Sequence, residues 1–207
     1  MGITSKKPPL KETVGAQYIC FNTITEEGDW TTVFEEEVEK TETVKSVKVT
    51  ENSESTPVWS SGKIYDTDET VSGVDIEVEV IAFVAETLAK MRGDAVDAGG
   101  LILSGGKRIR PYFAYGKVVI LRGGKVRFEW YPKCKLIENS DDANTSEDKF
   151  SEQTDTVTIR AYPFNSDGDV RAKVDSTMAS FPENLTEEKF FTKPILTKED
   201  LKAAVGE

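Results

Sequence analysis

A chain of 207 residues with 37 acidic side chains against 26 basic ones, a net charge of −11 and no histidine excludes Ser–His and Cys–His nucleophiles. It also argues against a nucleic-acid clamp, which needs clustered Lys and Arg to neutralise phosphates. An apolar fraction of 38% and a charged fraction of 30% suit one β-rich domain with appendages, or at most two small domains, with much surface left for solvent or partners.

In chain order, residues 1–13 are polar, contain Pro8-Pro9, and read as a flexible N-terminal arm without the apolar run of a secretory signal. Val14–Thr25 reads as a first strand around Tyr18-Ile19-Cys20-Phe21, followed by a turn at Glu26–Asp29. Thr31–Thr50 is rich in Thr, Val and Glu, and its phase changes midway. Phe34 and Val38 share one face and Val47 and Val49 the other, so a break is expected near Lys40–Thr43. Thr56–Tyr65 reads as a short strand. Val74–Phe83 alternates most cleanly, with Val74, Ile76, Val78 and Val80 on one side and Asp75, Glu77 and Glu79 on the other. Val84–Arg92 then takes helical spacing through Val84, Leu88 and Met91, with Gly93 as C-cap.

After a glycine-rich connection, Lys117–Ile137 carries a hairpin: Val119-Ile120-Leu121 and Val126–Trp130 flank Arg122-Gly123-Gly124-Lys125. Glycine supplies the positive φ that primed turns need, and a two-residue loop pairs Leu121 with Val126, Val119 with Phe128 and Lys117 with Trp130. Asn139–Asp148 is a polar excursion. The next strand is Thr154–Tyr162, where Val157, Ile159 and Ala161 alternate with Thr156, Thr158 and Arg160; Asn165–Asp169 turns the chain into Val170–Val174. Thr197-Lys198-Glu199-Asp200-Leu201 is a capping box opening a short final helix. The whole reads as mainly β: an antiparallel sandwich or partial barrel with a short flanking helix. No apolar stretch is long enough to span a bilayer, so no membrane insertion is expected and the chain is expected to be made in a cytoplasm.

Few motifs suggest chemistry. Ser104-Gly105-Gly106-Lys107-Arg108-Ile109-Arg110-Pro111 resembles the diphosphate motif of polyprenyl synthases, but those enzymes are all-helical and need Asp-rich clusters. As a phosphate loop it fails because Arg108 stands where Ser or Thr belongs. Asp66-Thr67-Asp68-Glu69 and Asp167-Gly168-Asp169 lack EF-hand spacing and read as turns. Cys20 and Cys134 lie in strands without a metal or redox motif and read as reduced, partly buried thiols. No catalytic, cofactor or metal site is assigned. The informative set is Asp75, Glu77 and Glu79. Either it is the wet side of an antiparallel sheet, or it is the wall of a channel built from several copies, where like charge keeps DNA from sticking.

The order of features resembles the major tail proteins, or tail tube subunits, of long-tailed bacteriophages of Gram-positive bacteria. The residues that carry the resemblance are Val14–Phe21, Ser72–Val80 running into Val84–Gly93, Pro111–Lys117 with the following hairpin and Val126–Cys134, and Asp155–Ala161. The resemblance implies a non-enzymatic virion protein in which residues 14–175 form the tube domain and close with copies into a hexameric β-barrel ring. Stacked rings would form the DNA-ejection conduit. Asp75, Glu77 and Glu79 are the candidate lumen face. Asn139, Asp141, Asp142, Asn144, Glu147 and Asp148 are the candidate inter-ring loop. The implied partners are the chain itself, the tape-measure protein, tail-initiating and tail-terminating proteins, and phage DNA that passes without specific binding; no cofactor is implied. Residues 176–207 have no counterpart in that pattern and read as a C-terminal extension that docks on the tube surface or a tail neighbour. Two other readings stay open: the tube protein of a contractile injection machine, and a β-sandwich carbohydrate- or receptor-binding module that stacks sugars on Trp30, Trp59 and Trp130.

Overall fold

The computed structural model describes residues 7–23, 29–106, 108–141, 145 and 153–206. In chain order these form β1 (Lys11–Phe21), β2 (Glu39–Thr41), β3 (Val44–Ser60), β4 (Lys63–Val80), α1 (Ala85–Arg92), β5 (Ala95–Val96), β6 (Ile102–Leu103), β7 (Phe113–Leu121), β8 (Lys125–Asp141), β9 (Asp155–Ala161), β10 (Ala172–Asp175), α2 (Glu187–Phe190) and α3 (Lys198–Val205). The fold is mainly β and antiparallel, as the alternating segments require.

The main sheet has the order β2-β1-β7-β8-β9-β4-β3, with β10 added to β8. Its two terminal strands, β2 and β3, are consecutive in the chain and separated only by Glu42 and Thr43. The sheet must therefore curl until its ends meet. Among the described residues no ladder joins β2 to β3, and the chain itself bridges the gap. The break falls where the phase change placed it. Val44, Val47 and Val49 of β3 pack on the inner core, whereas Phe34 and Val38 pack on the outer one.

The inner core is built by alternation. Val74, Ile76, Val78 and Val80 of β4 and Val157, Ile159 and Ala161 of β9 are all buried, beside Phe113, Tyr115, Leu136 and Met91 of α1. Helix α1 ends at Gly93, whose φ of 72° is left-handed and whose missing Cβ would otherwise meet the Ile109 carbonyl at 2.5 Å. Of its expected apolar face, Met91 and Leu88 reach the inner core, but Val84 is the N-cap and is exposed.

Strand β8 serves both cores. Phe128 and Trp130 face outward, while Tyr131, Cys134 and Leu136 face inward. The change of face coincides with a bulge. Gly116 pairs with Trp130 and Tyr115 with Tyr131, but Phe113 pairs with Cys134, so β8 carries an extra residue around Pro132. Proline has no N–H to give a ladder and is confined to such irregularities. On its far edge β8 pairs β10 over Arg127–Trp130 and then β9 over Cys134–Asp141.

The outer core lies beneath the C-terminal segment. Leu185, Phe190, Phe191, Ile195 and Val205 cover Tyr18, Val118, Phe128 and Trp130. Phe191 stacks on Tyr18 with ring centroids 3.9 Å apart, and Trp130 Nε1 donates to the Phe190 carbonyl. Gly116 leaves the space: a Cβ there would meet Phe191 at 2.7 Å. The capping box of α3 forms as expected, with Thr197 Oγ1 accepting from Asp200 N and Asp200 accepting from Thr197 N. Residues from Phe181 to Val205 thus pack on the subunit's own sheet and belong to its core.

Four further expectations need correction. The arm is shorter than residues 1–13, because β1 begins at Lys11. The β7–β8 hairpin has a three-residue loop, and Val126 pairs with Ile120 rather than Leu121; the one-residue shift sets Phe128 against Val118 and Trp130 against Gly116. Ser61-Gly62, with φ of 53° and 75°, is a second hairpin turn with both residues left-handed. Asp66–Glu69 lies inside β4, not in a turn.

Phe191→Ala is expected to destabilise the protein by about 3–5 kcal/mol, the range for deleting a buried aromatic ring. Urea denaturation followed by Trp130 fluorescence measures this.

Candidate functional site

Asp75, Glu77 and Glu79 project from β4 on the face opposite its buried valines, as their alternation dictates, and the neighbouring strands supply partners. Arg160 of β9 grips Asp75 with two bonds, Nε to Oδ1 at 2.6 Å and Nη2 to Oδ2 at 2.9 Å. Asn52 adds a third at 2.8 Å. Lys48 lies 3.4 Å from Glu77. Glu79 accepts from Ser46 and Thr154, each at 3.1 Å. The three residues therefore share one exposed face, but the face is mixed in charge rather than uniformly acidic. The cause is cross-strand register, which sets Thr50 and Arg160 beside Asp75 and Lys48 beside Glu77. The forked bond from Arg160, reinforced by Asn52, holds the Asp75 carboxyl below its ordinary value despite an opposing push from burial.

The expected polar loop divides. Asn139 and Asp141 belong to the end of β8, where the Asn139 Oδ1 accepts from Arg92 at 3.3 Å. Asp142, Asn144, Glu147 and Asp148 lie outside the described residues.

A feature not anticipated from the sequence is a two-stranded ribbon. β4 pairs β9 only from Val74 onward, yet β3 and β4 stay paired with each other down to Ser60 and Lys63. The ribbon starts at a bulge, where Asn52 pairs with Gly73 but Ser53 pairs with Val71. Ser72 ties it by donating to the Asn52 carbonyl. Over about 25–30 Å neither outer edge has a ladder partner among the described residues. Near its tip Trp59 is 64% exposed, Ile64 56% and Tyr65 80%, with Trp59 directly opposite Ile64. The Ser61-Gly62 dipeptide was the available signal for this hairpin.

The remaining candidates separate. Trp130 is buried in the outer core, Trp59 sits on the ribbon, and Trp30 lies under the Lys133 ammonium at 5.2 Å, so the tryptophans form no common sugar platform. In the glycine-rich stretch, Arg110 donates to the carbonyls of Leu136 and Ile137, and Arg108 to that of Gly105. These arginines tie a loop down rather than cradle phosphate. Cys20 and Cys134 are unpaired with each other and fully buried. Burial pushes both thiols up, Cys20 to about 12 with help from Glu35, which keeps them unreactive. Among the described residues no group of three or more Cys, Asp or Glu is arranged to hold a metal ion, and no helix is long and apolar enough to cross a membrane.

One buried pair carried no sequence signal: Lys117 and Glu129, opposite each other on β7 and β8, lie 3.4 Å apart. Tyr131 donates to Glu129 at 3.1 Å. Burial pulls the Lys117 ammonium down, against the attraction of Glu129.

Comparison with known proteins finds no family model that matches the chain and no curated protein that matches it.

Two measurements test these assignments. The Asp75 carboxyl should titrate below 3.8 by NMR, and Arg160→Gln should move the midpoint upward. Because the folded value is depressed, the stability from this contact is complete above the ordinary value and is lost as pH falls through the folded one. Lys117→Met should cost about 3–5 kcal/mol by leaving Glu129 buried and unpaired, and the added change Glu129→Leu should recover most of the loss.

Proposed function

We propose that the chain is a structural subunit that assembles with copies of itself, of the tail tube type: hexameric rings, stacked into a conduit through which DNA is ejected from a virion. The observation that carries the reading is the β3–β4 ribbon. An isolated two-stranded hairpin is marginal in water, and exposed strand edges are a hazard that soluble monomers blunt. Among the described residues this ribbon has no ladder partner on either edge, and it places Trp59, Ile64 and Tyr65 in solvent at its tip. Such a device gains stability only when another chain covers it, and a homo-oligomer supplies that cover at every subunit.

Three further features support the reading. The sheet is antiparallel and curled, so copies set side by side can continue it. Asp75, Glu77 and Glu79 occupy the face of β4 opposite its buried valines, on which Lys48 and Arg160 leave one carboxylate in excess. A wall of that kind is wet and weakly anionic, and it lets DNA or a tape-measure protein slide without specific binding. In this reading tail-initiating and tail-terminating proteins meet the open ends of the stack, and no catalytic step is involved.

Negative-stain electron microscopy of the concentrated protein tests the proposal, with hollow tubes or six-fold rings expected. Trp59→Ser with Tyr65→Ser should leave the melting curve within about 0.5 kcal/mol of the parent, since surface changes rarely cost more, yet abolish the assemblies. Assemblies formed equally well by that variant would remove the ribbon from the interface.

A further inference from the structure

The chain is strongly acidic overall, yet one end of β1 is basic. Residues from Lys7 to Leu10 enter β1 beside the β7–β8 turn, where Arg122 N donates to the Leu10 carbonyl at 2.8 Å. With Arg122, Lys125 and Thr177 they line an open groove of about 640 Å³. Leu10 is 64% exposed in it. None of Lys7, Arg122 and Lys125 has an ion-pair partner among the described residues. Among the described residues the edge of β1 next to this groove is also unpaired, because β2 pairs only Gln17, Tyr18 and Ile19.

The other end of β1 is the reverse. Around Ile19 and Phe21 a cleft of about 190 Å³ is lined by Glu35, Glu37, Glu39 and Glu86, with Lys90 the one cation. Lys90 is taken by Glu35 at 2.6 Å, and Glu39 accepts from Thr87 at 2.7 Å. Glu37 and Glu86 are exposed and have no partner among the described residues. The groove thus carries three uncompensated cations, and the cleft, with four glutamates and one lysine, an excess of three anions.

We propose that the Lys7–Arg122–Lys125 groove is the docking site for the Glu35–Glu37–Glu39–Glu86 cleft of a second copy of this chain. The two patches lie at opposite ends of an 11-residue strand, about 33 Å apart, so one copy cannot satisfy its own. Their charges match in number and differ in sign. The contact is head-to-tail, joining unlike surfaces, and therefore propagates into a ring or a filament rather than stopping at a pair. The choice of partner rests on the self-assembly reading above.

The test is a charge exchange. R122E/K125E gives a chain with two acidic ends, and E37K/E86K one with two basic ends. All four positions are exposed, and circular dichroism with thermal melting checks that each variant folds. Sedimentation velocity then follows association at low and high salt. The parent should associate at about 0.05 M salt and weaken at least about tenfold by 0.5 M, as the Debye length shrinks. Each variant alone should sediment as a monomer, and an equimolar mixture of the two should regain the parent's association.

A parent that stays monomeric at low salt overturns the contact, and so does a mixture that stays monomeric. Loss of association in R122E/K125E but not in E37K/E86K also overturns it, and assigns the groove to another anionic partner. If both variants still build hollow tubes, this contact falls and the tube reading stands. If the parent forms salt-sensitive chains with no lumen under the electron microscope, the contact stands and the tube reading falls.

Discussion

The bulge at Pro132 is the constraint on which the rest of the structure depends. β8 is 17 residues long, and a strand of that length in regular register would keep each side chain committed to one face. The extra residue around Pro132 reverses the commitment. Before it, Phe128 and Trp130 belong to the core under the C-terminal segment. After it, Cys134 and Leu136 belong to the core inside the curled sheet. The same irregularity frees one edge of β8 to pair β10 first and β9 later, so the sheet bends there and its ends come together at Glu42-Thr43.

Two cores of different character follow. The inner one combines the alternating β-branched residues of β4 and β9, which pack well on a pleated surface, with the rings of Phe21, Phe113, Tyr115 and Tyr131. The outer one is aromatic and depends on close approach: Phe191 reaches Tyr18 and Trp130 because Gly116 has no side chain. Among the described residues the buried charged groups Lys117, Glu129 and Asp175 each sit in an ion pair, which is the condition for burying an ion at tolerable cost. The two cores meet on β1, β7 and β8. What the scaffold leaves uncovered is specific: the ribbon with its bare edges, the first half of β1's outer edge, and two oppositely charged patches at that strand's ends. A chain with no convergent catalytic constellation among its described residues has its distinctive features at its borders, and borders of this kind are completed by neighbouring chains.

Much of this was legible in the residue pattern, and the failures have physical causes. Val74 to Val80 and Val157 to Ala161 could be placed because period-two alternation is a local property of the sequence. Gly93 and Thr197–Asp200 could be placed because caps are satisfied within a turn of chain. The break before Val44 was visible as a phase change. The hairpin register at Arg122–Gly124 was missed by one residue, since two glycines allow more than one loop length. The ribbon was missed because Thr56–Tyr65 reads as one short strand running through Ser61-Gly62, and the acidic Asp66–Glu69 beyond it reads as a turn.

The sequence by itself determined the mainly β class, the apolar faces of β4 and β9, the terminal helix, and the placing of Asp75, Glu77 and Glu79 together on the face opposite the valines. Only the tertiary structure decided that Arg160 and Lys48 stand against those carboxylates, that residues 181–205 complete a second core, and that β2 and β3 are the two ends of one curled sheet. The reason is the range of the interactions. Alternation and capping act over a few residues, whereas cross-strand register joins Asp75 to Arg160 and docking of the C-terminal segment joins Trp130 to the carbonyl of Phe190, pairs 85 and 60 residues apart whose meeting no local pattern encodes.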